Sequence, residues 1–160
     1  HLVAALAAVA LRQGRNDEAR RRLEAVRAVA PDSVLARGLL ARVYGMAGED
    51  TAEGAEIAWL EAAAPGLEEC RRLARGLALR REGEAAAGAG RFVEALRLLM
   101  ESLRNEAEDP RAHNALGVVL FHLGERGKAR ASFERALRLA PGYVEARENL
   151  AGILSDSQFE

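Results

Sequence analysis

Three stretches of the chain carry one alternation of apolar and polar positions: LRQGRNDEARRRL (11–23), AGAGRFVEALRLL (87–99) and FHLGERGKARASF (121–133). In each, an apolar run ends on glycine, a short polar step follows, and an amphipathic run begins. Glycine ends a helix at low cost because it adopts the left-handed conformation. Proline cannot continue a hydrogen-bonded turn, so Pro31, Pro65, Pro110 and Pro141 mark further breaks. The pattern predicts nine helices, at 2–13, 16–29, 33–46, 50–63, 67–87, 91–105, 111–123, 126–139 and 143–155. The helix at 67–87 has two readings, one long helix or a short one followed by a longer one. Asp32 and Asp109 are placed to cap the helices that follow them.

The breaks recur with a fixed period. Gly14 and Gly48 lie 34 residues apart, as do Pro31 and Pro65, Gly90 and Gly124, Ala95 and Ala129, and Leu99 and Phe133. Gly48 to Gly90 is 42, so about eight extra residues lie between the second and third units. The units run about 1–33, 34–67, 68–109 and 110–143, with a capping helix at 144–155. Small residues such as Gly117 and Ala129 let two helices approach closely, and Leu116, Leu120 and Phe133 fill the space beside them. One such pair cannot bury its apolar stripe alone, so neighbouring pairs must stack. The last helix, VEARENLAGIL, has a polar outer side in Glu145, Glu148 and Asn149, which is how such arrays cap their core.

These residues resemble the tetratricopeptide repeat family. The fourth unit carries the pattern most fully, with His113, Leu116, Gly117 and Leu120 on its first helix, Ala129, Phe133 and Ala136 on its second, and Pro141 after it. The departures are His113 and Val3 where a larger residue usually opens the unit, Glu53 where a small residue is expected, and Glu82 at the position of Leu116. The resemblance implies an all-α, right-handed superhelical array of antiparallel helix pairs, about four repeats plus the C-terminal capping helix. It also implies a concave groove that binds a protein or peptide. Transferring the family's geometry puts the first helix of each pair on the inner wall of that groove. The partner-binding residues expected there are Leu39, Arg42, Met46, Arg80, Arg81, Glu84, Asn114, Val118, Phe121, His122 and Asn149. Arg42, Arg80 and Arg81 would fork a carboxylate of the partner. Phe121 stands where earlier units have Ala87 and Gly45, so it is either a ligand anchor or packing against the capping helix. Trp59, whose counterparts are Ala25, Glu101 and Arg135, is expected to be covered near Leu67 and Leu73.

Composition narrows the chemistry. Aromatic residues make up 4% of the chain and the net charge is −1, so nothing draws in nucleic acid or an anionic membrane by bulk charge. The apolar start HLVAALAAVAL is stopped by Arg12, far short of a bilayer span. A soluble chain is expected, with the cytoplasm favoured, and the apolar first helix fits the cut end of a larger protein. The single cysteine, Cys70, builds neither a disulfide nor a thiolate cluster and is expected to be a small buried apolar residue.

Gly88 and Gly90 do not make a phosphate loop. A helical stretch precedes them instead of a strand, Val93 stands where a third glycine belongs, and no Gly-Lys-Ser/Thr ending follows. His113 and His122 are nine residues apart and face opposite sides of one helix, so they cannot share a metal. No cofactor, metal or catalytic group is expected. Three roles remain: a groove for a partner protein, a non-catalytic repeat subdomain of a larger enzyme such as a glycosyltransferase or a peptidase, and a self-assembling module joined through the first helix.

Overall fold

The computed structural model describes residues 2–63 and 68–156. They form α1 (Leu2–Arg12), α2 (Asn16–Val29), α3 (Val34–Met46), α4 (Asp50–Ala63), α5 (Glu68–Gly88), α6 (Phe92–Asn105), α7 (Pro110–His122), α8 (Arg126–Leu139) and α9 (Val144–Asp156). No strand occurs among the described residues. Each helix packs on the next, and the odd-numbered helices also touch one another to make an inner layer. The result is an all-α solenoid of antiparallel pairs.

The glycine turns repeat. Gly90 has φ +75°, and behind it the Arg91 amide reaches back to the Ala86 carbonyl at 2.9 Å, closing the end of α5. Arg15, Glu49 and Glu125 make the same closure after Gly14, Gly48 and Gly124. The opposite helix ends differ. Asp109 caps α7, accepting from the Arg111 and Ala112 amides at 2.9 and 3.3 Å. At α3 the cap is Ser33, not Asp32; its hydroxyl accepts from the Ala36 amide at 3.4 Å. Ser33 is the residue immediately before the first helical one, the place from which a short side chain reaches the orphan amides.

The extra residues of the third unit form one helix with the rest. The first helices α3 and α7 have 13 residues and α5 has 21. Because α5 ends in register with α7, the insertion adds two turns at its N-terminal end, about 12 Å of helix. Cys70 and Ala74 of this extension are buried. Leu73 covers Gly38, and Leu73 and Trp59 both pack against the cluster of Ala41, Ile57, Leu60, Ala74 and Leu77; the Arg37 guanidinium lies 4.1 Å from the Trp59 ring centre. Leu67, the other residue expected there, lies outside the described residues.

The array curls until its ends meet. The turn at Gly14 lies against Gly142, so close that a Cβ on Gly142 would sit 2.6 Å from the Gly14 carbonyl oxygen. Met46 at the end of α3 packs against the cluster of Ala136, Ala140, Tyr143 and Ala146. Arg42 donates to the Glu108 carbonyl at 3.1 Å, and Arg111 donates to the Gly45 carbonyl.

Candidate functional site

This curl divides the inner wall in two. On the first half, Leu39, Arg42 and Met46 line a narrower cleft of about 350 Å³ on the seam with the fourth unit. Leu39 belongs to the core of the first two units, Met46 lies under the α8–α9 corner, and Arg42 is tied to the segment before α7. The chain's own fourth unit forms the opposite wall of that cleft through Pro110, Arg138 and Leu139.

On the second half a trough of about 570 Å³ stays open between α5, α7 and α9. Its floor is small and apolar: Ala87 and Gly88 of α5, Ala115 and Val118 of α7. One end is closed by the rings of Phe92 and His122, stacked 4.5 Å apart at 10°. At the other end are Glu84, Arg111, Asn114 and Glu145. Glu84, Asn114, Val118 and His122 are thus brought together as one surface. Asn149 supports it from behind, donating to Asn114 Oδ1 at 3.0 Å. Asn114 in turn donates to Glu145 at 3.2 Å, and the Tyr143 hydroxyl donates to the same carboxylate at 3.3 Å. Burial, reinforced by Glu145, pushes the Tyr143 phenol above its ordinary value.

Three expected residues fall elsewhere. Arg80 is fully buried, so its guanidinium cannot reach a partner. Its Nε donates to Asp109 at 3.1 Å, its Nη1 to Glu84 at 2.7 Å, and its Nη2 to Glu53. Burial opposes its charge, yet these carboxylates hold it above the usual range. Arg81 points to the α4 side, beside Gly54. Phe121 packs with Leu120, Phe133 and Ile153, so it supports the capping helix, with the Arg126 guanidinium 5.6 Å from its ring centre.

Below the trough an ionic knot sews three units together. Arg80 joins Glu53 of α4 to Asp109 before α7, and Arg111 Nε donates to Glu84 at 2.8 Å. Burial raises the Glu53 carboxyl to about 7, against the pull of Arg80 and Arg111. His113 is held below its ordinary value by burial, although its Nε2 lies 3.0 Å from the Ala107 carbonyl.

Two residues were not foreseen as part of this region. Phe92 is an aromatic at the helix start where the other units have Asn16, Asp50 and Arg126. Glu53 is a charge where they have Ala19, Ala95 and Ala129, all fully buried. In both cases the signal was a break in the repeat's own pattern, and a charge at a buried position demands a partner.

Among the described residues no cluster of three or more His, Cys, Asp or Glu could hold a metal ion. None of their helices is long and apolar enough to cross a membrane.

A family model described as tetratricopeptide repeat matches residues 4–68 and 80–144. Among solved structures, MamA resembles the chain with a TM-score of 0.51 at 20% identity, covering 91% of this chain and 81% of that one. A second structure of MamA gives 0.50 at 18% identity over 98% and 81%. A thermophilic TPR protein of Thermus thermophilus gives 0.50 at 26% identity, over 97% of this chain and 81% of that one. No curated protein sequence is similar enough to count as a match. The MamA likenesses speak for the fold alone, while the family model covers most of the chain; the chain belongs to the tetratricopeptide repeat family.

Proposed function

We propose that the chain is a protein-interaction module that holds a segment of a partner protein in the trough between α5, α7 and α9. The observation that carries the reading is the convergence there of Glu84, Asn114, Val118 and His122 over a floor of small residues. The floor of Ala87, Gly88 and Ala115 lets a backbone approach closely. The Phe92–His122 pair offers a flat face, and the polar end fixes direction. Affinity then comes from a few anchors and not from total area. No catalytic step is part of the proposal.

The test uses peptides selected from a displayed random library on the immobilised chain. Their binding is expected to vanish in Val118→Arg while the helix content by circular dichroism stays that of wild type. Peptides that bind Val118→Arg as well as wild type would place the partner elsewhere.

A second reading, self-association, has its own observation. Leu2, Leu6 and Val9 form an exposed stripe on α1, whereas the equivalent Ala36, Leu40 and Val43 are buried one unit later. Sedimentation velocity across a dilution series tests it, with Leu6→Glu as control. A monomer at every concentration removes the reading.

A further inference from the structure

The ionic knot holds one carboxylate more than its guanidinium groups can answer. Arg80 and Arg111 bring two positive charges, and Glu53, Glu84 and Asp109 bring three negative ones. Asp50 also faces Arg111, at 3.4 Å, but its side chain is 65% exposed and solvent screens it. A surplus negative charge among buried groups is costly, so one of the three carboxyls is expected to hold a proton.

The hydrogen bonds say which one. Glu84 accepts from Arg80 Nη1 at 2.7 Å and from Arg111 Nε at 2.8 Å. Asp109 accepts from Arg80 Nε and from the Arg111 and Ala112 amides. Glu53 accepts from Arg80 Nη2, but its Oε2 is buried, has no hydrogen-bond partner and lies 3.7 Å from Arg111 Nη1. It is the least satisfied of the three as an anion. Burial, reinforced by Asp109 and Glu84 and opposed by Arg80 and Arg111, raises its carboxyl to about 7. From α3 the Gly45 backbone lies against it, and Glu53 fills the space that a Cβ there would take. Tyr143, beside Arg111 and Glu84, has a phenol raised by burial and stays neutral. The units that begin with α1, α5 and α7 place a buried alanine where Glu53 stands, so the fold itself does not need this carboxyl.

Glu53 belongs to the second unit and Arg111 to the fourth, so the surplus charge sits on the seam that closes the curl. Other ties across that seam are few. Arg111 donates to the Gly45 carbonyl, Arg42 donates to the Glu108 carbonyl, Met46 packs on the Ala136 cluster and Gly14 touches Gly142. Successive units, by contrast, are joined by hydrocarbon clusters that no proton alters. We propose that the Glu53 carboxyl is a proton-operated latch on the curl: protonated, it holds the fourth unit against the second, and ionised, it drives the ends apart while each helix pair stays folded. Opening lets water reach Oε2, so the open array holds the proton no more tightly than a free carboxyl does. The advantage of the closed form is complete below pH about 4.5 and shrinks by up to about tenfold per pH unit until it is lost at about 7. The latch concerns the curl and does not rest on the function given to the trough.

The test measures the distance across the seam in the whole chain by double electron-electron resonance. Spin labels are placed at Gln13→Cys and Val144→Cys, both exposed and beside Gly14 and Gly142, in a Cys70→Ala background. One short distance is expected at pH 5. Between pH 5 and 7.5 the closed-to-open ratio should fall by about fiftyfold, read as a second, longer distance. Helix content by circular dichroism should stay constant across that range. Glu53→Gln imitates the protonated carboxyl and should keep the short distance at both pH values. His113→Gln should leave the change intact, which sets the ring near Asp109 apart from Glu53. The proposal is overturned if wild type keeps one distance from pH 5 to 7.5, or if Glu53→Gln opens as wild type does. It is also overturned if His113→Gln abolishes the change, or if the longer distance appears only together with lost helix.

Discussion

Hydrocarbon joins each unit to the next, but where the second, third and fourth units meet, a buried charge network centred on Arg80 is added. At the first joint Ala4, Ala7, Ala10 and Leu11 share one cluster with Leu23, Leu39, Leu40 and Val43. At the other the largest fully buried side chain is Arg80, bound to Glu53, Glu84 and Asp109. Both joints exclude water, but they fail in different ways. A gap in hydrocarbon costs lost contacts in proportion to its volume. A missing member of an ion network strands a charge where water cannot reach it. The network adds little stability over well-packed apolar side chains, yet it demands one relative placement of three units. It stands beside the inserted turns, where the repeat's own register no longer sets that placement.

The hardest challenge to this contrast is Arg80→Met. It leaves Glu53 and Asp109 buried without their cation and should cost about 4 kcal/mol in urea unfolding. Replacing Glu53 by Met as well should recover part of that loss; a double variant less stable than the single would contradict the stranded-charge account. Leu40→Ala probes the hydrocarbon joint and should cost about 3 kcal/mol by cavity formation. Gly142→Val strikes the place where the two ends touch. The added side chain meets the Gly14 backbone, so a loss of about 2 kcal/mol is expected. Small-angle scattering should then show a larger radius with helix content unchanged, whereas an unaltered radius would mean the ends can meet otherwise.

Acidity separates the joints by sign. Glu53 is raised from 4.5 to about 7, so the folded chain holds its proton more tightly than the unfolded one. Its contribution is complete below pH 4.5 and is lost as pH rises through about 7. Glu24, in the first unit, is held below 4.5 by the hydrogen bond from Arg20, with Tyr44 also donating to it. Its contribution is present above 4.5 and is lost as pH falls. Denaturation series in Glu53→Gln should therefore lose the decline toward neutral pH and keep the acid limb. The smallest effect is at a helix end: Ser33→Ala should cost about 1 kcal/mol and Asp32→Ala within about 0.5.

Much of the fold was legible because the repeat is local. A glycine that must take positive φ and a proline that cannot continue a helix act through neighbours in sequence, so Gly14, Gly48, Gly90 and Gly124 mark the helix ends wherever the array goes. The site was half legible. Glu84, Asn114, Val118 and His122 follow from transferring the repeat family's geometry to α5 and α7, and they line one trough. Arg80 lies in the same register but not on the surface, because Glu53 and Asp109 come to it from 27 and 29 residues away. Periodicity says which side of a helix a residue is on, and is silent on what stands opposite.

The helices and their ends follow from amino-acid order alone, since they depend on contacts a few residues long, whereas the structure decided that the added residues extend one helix. Assembly in three dimensions set the rest. There the array curls until Gly14 meets Gly142, the fourth unit comes to face Leu39, Arg42 and Met46 across a narrow cleft, and Arg80 becomes a buried tie. Those outcomes depend on the angle between successive units. That angle is set by the summed fit of many side chains across each joint, and small differences per joint add up along the array.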